Sequence, residues 1–202
     1  MIRFAAAMSG LLLAGWAVSP GDAGRTETLY LAGGCYWGVE EVFEHVKGVK
    51  SVVAGFAYGA EDSVAGVLRR PNHGGLAEAV RIKYDPDRIS YSQLLQIFFT
   101  VAHDPTQLDR QGPDVGPRYR SSLFVTDTSQ LGIARAYLDS VRSAARPGRP
   151  VVTDLVLLDH FKAAGEDQQD FAAKNPTLPY IVINDKPKVE KLREKFPGVF
   201  EG

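Results

Sequence analysis

The stretch TLYLAGGCYWGVEEVFEHV, Thr28 to Val46, changes its periodicity in the middle. Thr28 to Ala32 is a short apolar run of strand type, whereas Val39, Val42, Phe43 and Val46 recur at helical spacing from Cys35 onward. Gly33 and Gly34 between them let the chain turn sharply and let another molecule approach the backbone. The stretch therefore reads as strand, turn and helix, with Cys35 at the first turn of the helix.

Working outward, the same alternation continues. Ser51 to Tyr58 and Ala77 to Tyr84 read as strands, the second with Ile82 and Tyr84 alternating against Arg81 and Lys83. Ser90 with Gln93 forms a capping-box pattern that opens a helix carrying Leu94, Leu95, Ile97, Phe98 and Val101. His103 to Arg120 is a long turn-rich loop, and loops of that length often carry function. A strand around Ser122 to Val125, an amphipathic helix over Ser129 to Ala144, a strand over Val151 to Leu158 and a last helix over Pro187 to Phe196 complete the chain. This pattern predicts an α+β fold, a two-layer sandwich of one mixed sheet and packed helices.

Composition narrows the function. Hydrophobic residues make up 45% and charged residues 23% of 202 residues, and the formal net charge is −1. Such a chain has no field to gather nucleic acid or anionic lipid, so small neutral or protein substrates are expected. Residues 1–24 stand apart: Arg3, an uncharged apolar run from Phe4 to Val18, then small turn-forming residues to Gly24. This reads as a secretory signal peptide cleaved near Ala23, leaving 25–202 as a single domain. The apolar run is shorter than the ~20 residues of a spanning helix, so no stable membrane insertion is expected, an uncleaved anchor being the alternative. An exported, periplasmic monomer follows as the expectation. Cys35 is the only cysteine, and in an oxidising compartment a cysteine without an internal partner is a candidate free thiol.

The residues around that thiol each have two readings. A helix amino terminus favours a thiolate and is expected to lower the Cys35 pKa, although a buried free cysteine is also often only a small hydrophobe. Tyr36 and Trp37 either fill the core or wall an apolar pocket beside the sulfur. Glu78 either faces solvent or, buried near Cys35, has a raised pKa and donates a proton. Asp114 and Tyr119 either serve the turns of the long loop or are presented by it to the thiol. His45, His73, His103 and His160 lack metal-ligand spacing, and a structural or solvent-facing role is expected for each.

GGCYWGVE, GGLAEAVRIKYDP, HDPT, RQGPDVGPRYRS and KNP, in that order from Gly33 to Pro176, resemble the class A peptide methionine sulfoxide reductases. The resemblance implies a ferredoxin-like α+β fold and reduction of the S epimer of methionine sulfoxide, free or in proteins. It implies Cys35 as nucleophile, oxidised to a sulfenic acid, Glu78 as proton donor to the departing oxygen, and Tyr119 with Asp114 holding that oxygen or its water. Tyr36, Trp37, Phe56 and Tyr58 would bind substrate. No metal or bound cofactor is implied. Four positions depart from the pattern: Tyr36 for a usual phenylalanine, Phe56 for a tyrosine, Leu76 for a histidine, and a late motif around Gln168 that lacks its histidine. With no second cysteine, the sulfenic acid must be resolved by an external thiol, a small molecule or a thioredoxin-like protein. A thiol peroxidase and a non-catalytic binder of methionine-rich or oxidised proteins are the alternatives.

Overall fold

The computed structural model describes residues 24–59 and 75–202; residues 1–23 of the expected leader and His73 lie outside them. β1 (Glu27–Gly33), α1 (Tyr36–Glu44), β2 (Val49–Gly59), β3 (Gly75–Tyr84) and α2 (Tyr91–Ile97) follow one another as expected. The capping box is present: Ser90 Oγ accepts from Gln93 N at 3.2 Å, and Ser90 N donates to Gln93 Oε1 at 3.0 Å. The long loop carries a small hairpin, β4 (Arg110–Gln111) with β5 (Asp114–Val115), and a single turn, Pro117–Tyr119. Then come β6 (Ser121–Val125), α3 (Thr128–Ser143), β7 (Asp154–Ala163), the short α4 (Phe171–Lys174), a π turn (Ile181–Asp185) and α5 (Lys186–Lys195).

β6, β1, β3 and β2 lie side by side in antiparallel pairs, with α1 and α2 as crossovers, which is the split βαβ arrangement of ferredoxin-like folds. The mixed α+β architecture is thus as expected, and β7 adds to it. Its first half runs parallel to β6 (Ser122↔Asp154), its second antiparallel to β2 (Gly55↔Ala163), so the sheet closes into a five-stranded ring. A ring this narrow holds little inside it. Small residues on that face, Ala32, Ala57, Ala77 and Ala79, are all buried together with Phe124 and Val156. The other face carries the main core: Leu29, Leu31, Val80 and Ile82 of the strands against Val39 and Phe43 of α1, Leu94 of α2, Leu138 of α3 and Leu192 of α5.

β7 begins three residues later than the expected Val151 and runs five beyond Leu158. Val152 N is instead bound to Pro105 O at 2.8 Å, tying that segment to the long loop. The extra residues escape an apolar reading because Asp159, His160 and Lys162 are exposed.

Candidate active site

Strand alternation places Glu78 on the helix-facing side of β3, in line with Val80 and Ile82 and directly opposite Phe56 of β2. Gly34, with φ +100, turns the chain out of β1; a Cβ there would lie 2.5 Å from Gln111 Cβ, so the hairpin packs directly on this turn. Cys35 then caps α1. Its backbone is nonhelical and 8% of the residue is exposed. Glu78, 6% exposed, reaches the same first turn, where Oε2 accepts from Tyr36 N at 3.4 Å.

The long loop closes over this pair. Gln111 exchanges two bonds of 3.1 Å with the Asp104 backbone, fixing the hairpin, and buried Arg120 donates to Leu76 O at 2.9 Å, pinning the loop to β3. Asp114 accepts from the Tyr180 hydroxyl at 2.5 Å. A cavity of about 80 Å³ results, lined by Cys35, Gln111, Gly112, Pro113, Asp114, Tyr180, Asn184 and Lys188. Beside it, Trp37 stacks on Phe171 at 3.8 Å and meets Tyr180 edge-on at 5.8 Å, while Tyr36 meets Phe56 edge-on at 5.7 Å. Both Tyr36 Oη (3.3 Å) and Trp37 Nε1 (3.2 Å) donate to Gln168 Oε1. Gln168, in the late segment that lacks the histidine of the resembled pattern, therefore fixes both aromatics.

The electrostatics correct one expectation. Burial pushes the Cys35 thiol up to about 12, with Glu78 and Asp185 adding to the rise. The Trp37 N–H and the Tyr180 hydroxyl pull the other way and do not prevail. A helix terminus alone pointed to a lowered value; burial, with the Glu78 carboxylate of β3 and the Asp185 carboxylate at the start of α5, outweighs it. Burial likewise raises Glu78 to about 7, opposed by the Tyr36 N–H and by Arg118. Tyr119 is held above its ordinary value by partial burial and by Glu78 and Asp114, which places its phenol near both carboxylates.

Cys35, Tyr36, Trp37, Phe56, Glu78, Asp114 and Tyr119 thus come together. Tyr58 does not join them: its ring stacks on His160 at 4.0 Å, across the β2–β7 pairing and two residues beyond Phe56. Sequence reasoning missed Phe171, Tyr180, Asp185 and Lys188; the only signal was the neighbouring KNP motif. Buried His103 is structural, bridging Phe98 O (3.0 Å) and Ser121 Oγ (2.8 Å), and burial lowers its pKa to about 4. A larger cleft of about 570 Å³, between Phe99, His103 and Tyr137, is not lined by Cys35 or Glu78. Among the described residues one acidic group, Glu40, Glu44 and Asp170, has metal-compatible spacing, but Lys174 already pairs with Asp170 at 3.1 Å.

Residues 27–198 match the family described as peptide methionine sulfoxide reductase. A peptide methionine sulfoxide reductase MsrA 2 of Mesorhizobium japonicum is 46% identical over 87% of this chain and 90% of its own. Among solved structures, reduced Mxr1 from Saccharomyces cerevisiae is similar with a TM-score of 0.64 at 26% identity, covering 78% of this chain and 90% of that one. Mxr1 in complex with Trx2 shares the fold, with a TM-score of 0.52 at 20% identity over 77% of this chain and 91% of that one.

Proposed function

The chain belongs to the peptide methionine sulfoxide reductase family, a family of oxidoreductases acting on sulfur, and from that premise we propose a one-cysteine cycle for it. Its substrate is the S epimer of methionine sulfoxide, in oxidised proteins or free. The carrying observation is that Cys35 and Glu78 meet on one helix turn, with Glu78 Oε2 at 3.4 Å from Tyr36 N. The Cys35 thiolate attacks the sulfoxide sulfur, and Glu78, near half-protonated at neutral pH, delivers a proton to the oxygen. Oxygen passes to Cys35, giving a sulfenic acid and methionine. The Tyr36–Trp37–Phe171 surface takes the methyl group, while Tyr119 and Asp114 orient the oxygen.

Recycling needs two equivalents of thiol from outside the chain. One condenses with the sulfenic acid, releasing water and leaving a mixed disulfide; the second displaces it and frees Cys35. A thioredoxin-like protein or a small thiol supplies them; the Trx2 complex of the yeast relative is a precedent for that protein only. No other cofactor takes part. The enzyme works as a monomer, exported to the periplasm with the leader over 1–24 removed. The peroxidase alternative is separated by substrate: peroxide consumption without methionine formation from the sulfoxide would favour it.

The test uses separated sulfoxide epimers with excess dithiothreitol. Methionine should form from the S epimer alone, stop in Cys35→Ser and fall steeply in Glu78→Gln. Turnover surviving in Cys35→Ser ends the mechanism.

A further inference from the structure

Behind the first turn of α1 lies an ion pair that the sulfoxide chemistry above does not use. Asp185, fully buried, sits at the junction of the π turn and α5. Its Oδ1 approaches α1 so closely that a Cβ on Gly38 would come within 2.0 Å of it, so glycine is what admits the carboxylate. Lys188 Nζ donates to the same Oδ1 at 3.1 Å, whereas Oδ2 is buried without a hydrogen-bond partner. Lys188 also lines the Cys35 cavity, and among the described residues lining it, Lys188 is the one cation.

Three anionic groups therefore address one positive helix end: the sulfur at the cap, Glu78 on the Tyr36 N–H, and the Asp185 carboxylate beside Gly38 in the first turn. We infer that Asp185 and Lys188 form a charge-metering pair that sets how readily Cys35 ionises, the carboxylate opposing the thiolate and the ammonium, shared between carboxylate and cavity, offsetting it. Asp185 acts through α1 and Lys188 and is a positioning residue. The other groups around the sulfur fit this division. Glu78 from β3 opposes the thiolate, the Tyr180 hydroxyl supports it, Asp114 is occupied by that hydroxyl, and Arg118 acts on Glu78. Lys188 is thus the one cation placed to balance Asp185 from within the cavity.

The inference rests on Cys35 being the reactive group but is tested without turnover, by the rate at which iodoacetamide alkylates the sole cysteine of the full chain between pH 7 and 10. One pKa unit changes that rate tenfold where the thiol is mostly protonated. Asp185→Asn should react about three- to tenfold faster than the parent, and Lys188→Met about three- to tenfold slower. The double variant should fall back within about twofold of the parent, and Lys188→Arg should restore the parent rate. Two single variants moving in the same direction, or neither moving by about twofold, overturn the inference. A lone buried carboxylate can unfold Lys188→Met. In that event Asp185→Asn must still react faster than both the parent and the double variant, and equality refutes the metering. Failure here leaves the reductase reading intact; normal alkylation with no sulfoxide reduction would instead refute that reading.

Discussion

Exchanging Glu78 for glutamine should remove a break from the pH profile of sulfoxide reduction. The reactive free enzyme carries a proton on Glu78 and none on Cys35. With Glu78 at about 7 and Cys35 at about 12, two regimes follow below pH 12. Below pH 7 the carboxyl is protonated and the thiolate grows tenfold per unit, so kcat/KM rises with unit slope. Between pH 7 and 12 each tenfold gain in thiolate is cancelled by a tenfold loss of acid, and the profile is flat. On that plateau the gap of about five units leaves roughly one molecule in 10⁵ in the reactive protonation state, a deficit of ~7 kcal/mol that substrate binding must reduce. An unperturbed glutamate at 4.5 would place the break lower and leave only about 0.3% of the acid form at pH 7. Glu78→Gln keeps the hydrogen-bonding shape without the proton, so its rate should drop about 10²–10⁴-fold and climb with unit slope straight through pH 7. Single-turnover methionine release from the S epimer, from pH 5 to 9, reads the first half-reaction alone. A break near pH 7 surviving in the glutamine variant, or a parent profile with no break there, refutes the assignment of Glu78 as acid.

Three further outcomes are expected. Gly38→Ala should lower the melting temperature by several degrees, since a Cβ 2.0 Å from Asp185 Oδ1 overpacks a buried contact at about 1–3 kcal/mol; an unchanged melt would contradict the packing. Gln168→Ala frees Tyr36 and Trp37 from their shared acceptor and should cost about tenfold in kcat/KM, mostly through KM, with Cys35 alkylation unchanged. Glu40, raised to about 7 by burial, favours the fold while protonated. Its contribution is fully present below pH 4.5 and is lost as pH rises through 7, by ~3 kcal/mol at most, so Glu40→Gln should flatten the decline in melting temperature between pH 5 and 8.

The local signals that could be read were those of single elements. Thr28 to Val46 has the strand, turn and helix its periodicity implies, and Ser90 has its capping box, because both depend on neighbours in the chain. Ring closure was not readable: it depends on β7 exchanging β6 for β2 midway, and the polar residues of that second half look like loop. Cys35, Glu78, Asp114 and Tyr119, singled out in the sequence, lie together in the fold, but the direction of the Cys35 shift was not readable. A helix terminus is visible in sequence, whereas burial and the carboxylates of Glu78 and Asp185 arrive through tertiary packing. Phe171 and Tyr180 lie where α4 and the π turn are too short to leave a periodic signal, and Lys188, inside the expected last helix, reaches the site only through tertiary packing.

The cover over the sulfur has a consequence for how the protein comes into being. Tyr36 and Trp37 are 132 and 131 residues away from the Gln168 that holds them, and Phe171, Tyr180 and Asp185 emerge later still. At about 5–20 residues per second, synthesis leaves the thiol without its roof for roughly 7–26 s. In that interval its pKa is near the ordinary 9.0 and not about 12, so some thousandfold more of it is thiolate than in the finished enzyme. The nascent chain is thus most open to stray oxidants before it can repair anything, and completing the C-terminal segment is what disarms it.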